Sequence, residues 1–422
     1  MRRPVPAGEP DQPGHRRQRS PLIALRHRNF RVYWSGQTVS MVGTQMQQAA
    51  IAWQIYLITH SALSLGLIGL FRVIPIILFS LWGGVVADVL DRRKLLISTQ
   101  AFRLVVSSLL AVATIAGFVS LPLIYALTAV AAGALAFDNP ARQALVPALV
   151  PREHLANAIS LNSTITQLGT VVGPTLAGLV IASWGVGVVY VVDAVSFVGV
   201  LVALLIVKPP PLVGRVRRVT LKAAIEGLEF VWRSPILAST MLLDFIATFF
   251  GSATALLPIF AHDILRVGPA GYGLLYAAPS IGAVLAAIVM SFVAAAIRRQ
   301  GLTILLAVVA YSVFTVLFGL SRNFAFSLLA LAGVGASDTV SMVLRQTVRQ
   351  IVTPDVLRGR MTSVSMVFFM GGPQLGEIEA GLVARGFGAP LSVVSGGIAA
   401  LLATVLVASR ATRLRQYVPG DM

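Results

Sequence analysis

The stretch 83–94 reads GGVVADVLDRRK and joins two long apolar runs of the sequence. It begins with small residues, carries two carboxylates and ends on three consecutive basic residues. Basic side chains that flank an apolar run mark the cytoplasmic end of a membrane helix. The stretch therefore predicts a cytoplasmic turn between two membrane-spanning helices.

On both sides of this turn the chain is dominated by apolar runs. Hydrophobic residues make up 56% of the 422 residues and charged residues 12%, whereas a soluble domain has roughly 25% charged residues. A helix needs about 20 apolar residues to cross a bilayer. The sequence therefore predicts an all-α membrane protein with twelve transmembrane helices, here called spans 1 to 12, over residues 33–58, 64–88, 94–118, 121–142, 156–183, 187–207, 236–261, 271–297, 301–320, 323–345, 361–384 and 388–409.

The net charge of +17 suggests a nucleic-acid partner, but the distribution of the charge excludes one. The basic residues lie in short clusters between apolar runs and not on one face of a soluble domain. They gather in the N-terminal tail, in the loops after even-numbered spans and at the C-terminus, while the opposite side carries Arg266, Arg322 and Arg385. This bias predicts a multi-pass protein of the bacterial inner membrane with both termini in the cytoplasm.

The two halves of the chain resemble each other. Arg142 with Pro151 after it recurs as Arg345 with Pro354 after it, and each arginine ends the fourth span of its half. Such a parallel repeat is the plan of a large transporter fold, with the substrate between the halves. The predicted organisation is a disordered basic cytoplasmic tail (1–30), an N-terminal six-helix bundle (31–207), a cytoplasmic linker with an amphipathic helix (208–235), a C-terminal six-helix bundle (236–409) and a cytoplasmic tail (410–422).

The turn 83–94 resembles the signature loop of the major facilitator superfamily, Gly-x-x-x-Asp-x-x-x-Arg-Arg, in register with Gly84, Asp88, Arg92 and Arg93. The resemblance implies two pseudo-symmetric six-helix bundles and a cytoplasmic latch. In that latch Asp88 reaches the start of span 11, where the helix dipole favours a carboxylate. The equivalent loop of the second half, 297–301, has no aspartate, so the latch is expected on one side only.

Span 5 resembles the motif Gly-x-x-x-Gly-Pro-x-x-Gly-Gly, which marks exporters within this superfamily. The matching residues are Gly169, Gly173, Pro174 and Gly178, while Ala177 replaces the first of the last two glycines. A general packing face for membrane helices is the alternative reading of these small residues.

A narrower resemblance covers nearly all of residues 25–410. The segments 139–143, 354–360 and 371–381 are similar to the branch of the superfamily that contains the enterobactin exporter and related drug-efflux proteins. This resemblance implies an exporter and leaves the substrate open.

Charged residues within a span are costly and mark functional sites. Asp244 lies roughly 13 Å deep in span 7 at about 1.5 Å per residue, and we predict that it couples transport to protons, with Glu377 of span 11 as the alternative. Hydrogen bonds that hold the bundle together are an equal alternative for the uncharged polar residues of spans 1 and 5. The predicted cavity lining is Gln37, Ser40, Thr44, Gln48, Asn162, Arg103, Thr248 and Ser252.

Two further pairs of charged residues lie near the cytoplasmic ends of spans 4 and 10. Asp138 with Arg142 and Asp338 with Arg345 are predicted to form ion pairs at these helix ends. Oppositely charged residues that lie so close together at the end of a helix more often stabilise the structure than take part in function.

The sequence shows no sign of an enzyme. It has no Gly-Lys-Ser/Thr phosphate loop and no cysteine, and its histidines lack the spacing of metal ligands. No metal or cofactor is therefore expected.

These features together predict a secondary active transporter that exports an amphipathic drug or a siderophore by alternating access, driven by proton entry. A nutrient importer on the same fold is the first alternative, and a non-transporting membrane scaffold or sensor is the second. The expected partners are membrane lipids, a small-molecule substrate and protons, and the chain is expected to act as a monomer.

Overall fold

The computed structural model describes residues 22–207, 229–354 and 357–417, and these residues form helices and turns without any strand. Most of the chain lies in long helices that match the predicted spans closely. They are α1 (Arg28–Thr59), α2 (Ala62–Val89), α3 (Arg92–Ile115), α4 (Leu121–Leu145), α5 (Leu155–Trp184), α6 (Val186–Ile206), α7 (Pro235–Phe250), α8 (Gly268–Val293), α9 (Gln300–Leu320), α10 (Phe324–Val352), α11 (Arg358–Phe387) and α12 (Ala389–Arg410).

Ten helical stretches of the described residues are long and apolar enough to cross a membrane. The helices α1 and α11 have 32 and 30 residues, which at about 1.5 Å per residue is also enough to cross. Their lower hydropathy reflects the polar and charged residues that they carry. The predicted all-α membrane fold is thus confirmed, and the helices are consistent with twelve spans.

Span 7 differs from the prediction because it is not one continuous α-helix. α7 ends at Phe250, and the chain continues through a 3-10 turn (Ala253–Leu256) into a π-helical turn (Phe260–Ile264). At the break, the Tyr311 hydroxyl donates to the Gly251 carbonyl oxygen at 3.1 Å. The Tyr311 side chain thus supplies a hydrogen bond to a carbonyl group that the interrupted helix leaves without its usual partner.

The helices pack as two groups. The helices α1 to α6 contact one another through the pairs α1–α6, α2–α4, α3–α6 and α1–α5. The helices α7 to α12 do so through α8–α10, α9–α10, α9–α12 and α7–α11. The main contacts between the two groups are α2 with α11 and α5 with α8. We call the two groups the N half and the C half.

The predicted terminal tails need correction, because the structure packs part of each against the bundle. Residues 22–30 were assigned to a disordered tail, but Ala24 and Phe30 are fully buried and the Ala24 amide donates to Asn157 Oδ1 at 2.9 Å. At the other end, Leu414 and Tyr417 are buried in the C half. The linker and its amphipathic helix lie mostly outside the described residues, apart from a helical stretch at 229–233.

Candidate transport pathway

The two halves meet most tightly at the end of the bundle that lies away from both chain termini, which we call the closed end. There α5 of the N half crosses α8 of the C half at two glycines. A Cβ atom on Gly178 would lie 2.5 Å from the Pro269 carbonyl oxygen and 2.9 Å from Gly273 Cα. These neighbours are backbone atoms, so only a residue without a side chain fits this crossing.

A second crossing of the same kind joins α2 and α11. A Cβ atom on Gly66 would lie 2.6 Å from the Glu377 carbonyl oxygen and 2.9 Å from Gly381 Cα. The two crossings correspond under the internal repeat, since α2 is the counterpart of α8 and α5 of α11. The closed end is therefore sealed on both sides by backbone contact between the halves.

A polar contact across the halves adds to this seal. Tyr56 at the end of α1 donates its hydroxyl proton to Asp263 Oδ2 in the π-helical turn of span 7. The other oxygen, Asp263 Oδ1, lies 2.6 Å from His262 Nδ1, and the His60 ring packs against both Tyr56 and His262. Sequence reasoning missed this cluster, because Asp263 falls just beyond the predicted end of span 7.

Beneath the closed end, side chains of both halves line a small polar cavity of about 20 Å³, formed by Gln48, Arg72, Thr254, Tyr276, Glu377 and neighbouring apolar residues. Such a volume holds about one water molecule. In this conformation the cavity admits water or a proton and excludes a drug-sized substrate. Gln48 and Glu377, both predicted from the sequence, meet here, and the cationic Arg72 joins them.

The C half contains a network of two arginines and two acids, of which Asp338 is partly exposed and the other three are buried. Asp244 on α7 forms ion pairs with two arginines of α10, with Arg345 Nη2 at 2.9 Å and with Arg349 Nη2 at 3.3 Å. Arg345 also contacts Asp338 Oδ1 at 3.5 Å. The predicted Asp338–Arg345 contact is thus present but is longer than the Asp244–Arg345 contact.

Arg349 is the member of this network that sequence reasoning missed. Its Nη2 atom also donates to the Thr240 carbonyl oxygen at 3.0 Å, so it ties α10 to α7 at two levels. The available signal was its position four residues after Arg345, which places both guanidinium groups on one face of a helix.

The N half contains a similar pair. Asp138 is fully buried and contacts Arg142 one turn later on α4. It also accepts hydrogen bonds from Gln100 Nε2 at 2.6 Å and from Thr99 Oγ1 at 3.1 Å, both on α3. The pair predicted at the end of α4 is therefore anchored to the neighbouring helix.

Arg103, one turn further along α3, is 7% exposed and forms no ion pair with a carboxylate of the described residues. Its Nη2 atom donates to Thr44 Oγ1 at 3.2 Å, and its guanidinium carbon lies 4.7 Å from the centre of the Phe197 ring. The predicted cavity residues Thr44 and Arg103 are thus brought together at the junction of α1 and α3.

Two of the predicted cavity residues face another helix and not the pathway. The Thr248 hydroxyl donates to the Asp244 carbonyl oxygen at 2.8 Å and packs against Gly372 of α11. The Ser252 hydroxyl donates to the Thr248 carbonyl oxygen at 2.8 Å and packs against Gly376. The spacing does place both residues on one face of the helix, as predicted, but this face packs against α11.

The remaining predicted residues occupy mixed environments. Gln37 and Ser40 are buried within the N half, and Asn162 is half-buried on α5. Gly169 and Gly173 of the span-5 motif let α5 approach α1, since added Cβ atoms would meet Met41 and Gln45. Pro174 and Gly178 of the same motif face α8, so one motif serves two interfaces.

The basic residues of the signature loop bind the ends of other helices. Arg92 Nη1 donates to the Ala144 carbonyl oxygen at 3.3 Å, and Arg93 donates to the Leu204 and Leu205 carbonyl oxygens at 2.6 and 2.7 Å. Cations at helix C-termini are favourable. The predicted latch residues Gly84 and Asp88 belong to α2, and their surroundings lie outside the part of the chain that the structure describes.

An apolar groove of about 680 Å³ between α2, α3 and α4 lies within the N half alone. Phe79, Phe102 and Phe137 line it, and none of its lining residues carries a charge. Since it contacts no residue of the C half, we do not include it in the pathway.

The profile of the transmembrane secretion effector family matches residues 19–419 of this chain. The chain belongs to this family of the major facilitator superfamily. Secretion effectors of this kind are transporters, so the protein is a multi-pass secondary transporter of the efflux type and not an enzyme.

Among curated proteins, this secretion effector is similar to the enterobactin exporter EntS of Escherichia coli O1:K1 / APEC. The two are 29% identical over 405 residues, which cover 93% of this chain and 95% of the exporter. The similarity thus extends through both halves.

Solved structures share the fold of this secretion effector at low sequence identity. A bacterial homolog of the human lysosomal transporter Spinster, inward-facing and unoccupied, aligns with a TM-score of 0.75 at 15% identity and covers 94% of this chain and 99% of its own. A bacterial homologue of the iron transporter ferroportin, also inward-facing, aligns with a TM-score of 0.69 at 16% identity, with 92% and 99% covered.

Proposed function

We propose that this transporter exports an amphipathic small molecule, a siderophore or a drug, in exchange for protons. The observation that carries the proposal is the polar cavity between the halves, where Arg72 and Glu377 face each other beneath a closed end sealed by glycine crossings. Two opposite charges in a cavity between two packed halves are suited to a process in which charge moves as the halves rock.

The substrate class follows from the pathway and from the relative. The polar residues of the pathway in α1 and α5 are mostly uncharged, which suits cargo with both polar and apolar parts. The curated relative is described as an exporter of enterobactin. We propose a siderophore of that general kind, or a drug of similar polarity, as the cargo.

Both termini are proposed to lie in the cytoplasm, on the basis of the positive-inside bias. With this orientation the closed end faces the periplasm, and the structure represents the inward-facing state. The exposure of α5 supports this, since Ser160, Ser163, Thr164 and Gln167 near the cytoplasmic end are exposed, while Gly178 is enclosed.

The orientation predicts which engineered cysteines react from outside the cell. The chain has no native cysteine, so single cysteines report without background. Arg322→Cys, in the exposed turn between α9 and α10, is expected to react with a membrane-impermeant maleimide in intact spheroplasts. Arg215→Cys in the linker is expected to react only after lysis. Labelling of Arg215→Cys in intact spheroplasts would reverse the proposed orientation.

The finer assignments from the sequence remain predictions. Asp244 and Glu377 are candidates for proton coupling, Asp88 for the cytoplasmic latch, and the monomer for the working state. Of the two carboxylates, only Glu377 lines the cavity between the halves.

The test of the proposed function is transport into inverted membrane vesicles. A catecholate siderophore or a fluorescent amphipathic dye is expected to accumulate when the vesicle interior is made acidic, and a protonophore is expected to abolish the accumulation. Vesicles without the protein are the control. Accumulation that is insensitive to the proton gradient would contradict proton coupling, and loss of preloaded substrate under the same gradient would favour the importer.

A further inference from the structure

Asp193 on α6 is a buried carboxylate to which none of the preceding assignments gives a role. Its exposed fraction is 0%, and it lies within the membrane span Val186–Ile206. Asp193 Oδ2 accepts a hydrogen bond from the Ser107 hydroxyl at 2.5 Å. Asp193 Oδ1 has no hydrogen-bond partner among the described residues.

No ion pair formed by the described residues includes Asp193. Asp138, Asp244 and Asp338, in contrast, each contact an arginine. A buried and unpaired charge costs several kcal/mol in protein and is costly within a membrane. Asp193 must therefore be neutralised either by a bound proton or by a cation that approaches it in another conformation.

Arg103 is a cation of the N half that forms no ion pair with the described residues, and two contacts place it close to Asp193. Ser107, which bonds Asp193, lies one turn after Arg103 on α3, and Phe197, over which Arg103 stacks, lies one turn after Asp193 on α6. The two charged groups are thus about one helical turn, or roughly 5.4 Å of rise, apart. The long and flexible arginine side chain can cover this distance.

The other charged groups that face this site are already paired. Asp138 and Arg142 on α4 contact each other. The residues that α1 presents here are uncharged, and one of them, Gln47, donates its Nε2 proton to Ser107 Oγ at 2.7 Å. Arg103 itself is held by the Thr44 hydroxyl. Among these four charged groups, Asp193 and Arg103 are the two that form no ion pair with the residues that the structure describes.

We propose that Asp193 binds the coupling proton. Arg103, as the positioning residue, takes the place of this proton beside the carboxylate when the proton leaves. The proposal rests on the proposed proton-coupled export. In the arrangement described here Asp193 carries the proton and Arg103 contacts Thr44. When Arg103 swings to Asp193, the carboxyl O–H bond breaks, the proton passes to water, and the guanidinium compensates the carboxylate charge that remains.

The same movement links the proton to the pathway. Thr44 lies one turn before Gln48 on α1, and Gln48 lines the polar cavity. When Arg103 leaves, the Thr44 hydroxyl becomes available to a substrate in the pathway. Proton release and substrate binding thus depend on one side chain, as an exchanger requires. Asp244 is less suited to this role, because two arginines neutralise its charge without a proton.

The test compares two assays in inverted vesicles with the catecholate siderophore or dye that the wild-type protein accumulates. Asp193→Asn is expected to lose accumulation driven by an acidic interior, down to the level without a gradient. It is expected to lose exchange of labelled for unlabelled substrate at uniform pH as well, because without the carboxylate Arg103 stays on the Thr44 hydroxyl, whereas Arg103→Gln is expected to retain exchange. Glu379→Gln, which removes a half-buried carboxylate of α11 outside this network, is the matched control and is expected to retain both activities.

Arg103 provides a second, independent variant if Asp193→Asn yields no folded protein. Arg103→Gln is expected to leave Asp193 permanently protonated and to lose gradient-driven accumulation while exchange continues, and Arg103→Lys is expected to recover part of the accumulation. Gradient-driven accumulation by either Asp193→Asn or Arg103→Gln at the wild-type level, with the wild-type pH dependence, would overturn the assignment of Asp193. A wild-type protein that accumulates substrate without regard to the gradient would instead overturn the proposed function and this inference with it.

Discussion

Gly178→Val is expected to shift the transporter away from the conformation described here and to abolish most transport. The new side chain would meet the Pro269 carbonyl oxygen and Gly273 Cα at distances below 3 Å, and backbone atoms cannot rotate away as a side chain can. Overpacking of this kind costs about 1–3 kcal/mol. Since the cost falls only on the conformation in which α5 and α8 touch, it corresponds to a roughly 5- to 150-fold change in the ratio of the two conformations.

The measurement is the distance between spin labels on cysteines at Ser183 and Arg322, which are exposed near the closed end in different halves. Gly178→Val is expected to increase the population with a long distance. Gly386→Val is the control, since no atom lies within 4 Å of its added Cβ position at the same end of the bundle. A Gly178→Val distance distribution equal to that of wild type would show that the crossing does not control closure.

Asp244→Asn is expected to destabilise the protein strongly. The substitution leaves two buried guanidinium groups, of Arg345 (2% exposed) and Arg349 (9% exposed), and among the described residues the longer contact of Arg345 with Asp338 at 3.5 Å is their one remaining ion pair. Removing one partner of a buried ion pair typically costs about 3–5 kcal/mol. Thermal unfolding of the purified protein in detergent measures the loss directly.

Two comparisons identify the cause of that loss. Asp338→Asn, which removes the longer and more exposed contact of Arg345, is expected to have a smaller effect. The double variant Asp244→Asn/Arg349→Gln is expected to recover part of the lost stability, because it restores the balance of charge. If Asp244→Asn unfolds like wild type and loses only the proton-driven accumulation, then Asp244 is the coupling carboxylate that the sequence first suggested.

Hydropathy and charge bias were sufficient to predict the helices, because a membrane span must satisfy length and polarity conditions that a single sequence displays. The break in span 7 was not predictable in this way. Gly251 is one of many glycines in the chain, and only the contact with Tyr311 from another helix shows why the helix is interrupted there.

Side-chain partners were predicted well only within one helix. The Asp138–Arg142 pair follows from spacing along α4, whereas the contact of Arg345 with Asp244 joins residues about a hundred positions apart. Thr248 and Ser252 illustrate the same limit, because a polar face identified by spacing can meet either a cavity or another helix. Tyr56 and Asp263 had no local signal at all, since they are 207 positions apart and belong to different halves.

The broken span 7 places two contacts on one short piece of chain. Thr254 lies in the wall of the polar cavity and Asp263 holds Tyr56 across the closed end, and the break at Gly251 separates this piece from the rest of the helix. Anything that displaces Thr254 outward therefore also pulls on the Tyr56–Asp263 contact. Affinity and turnover should then be linked by a trade-off: a cargo that fits tightly against this wall without moving it will be held well and carried slowly.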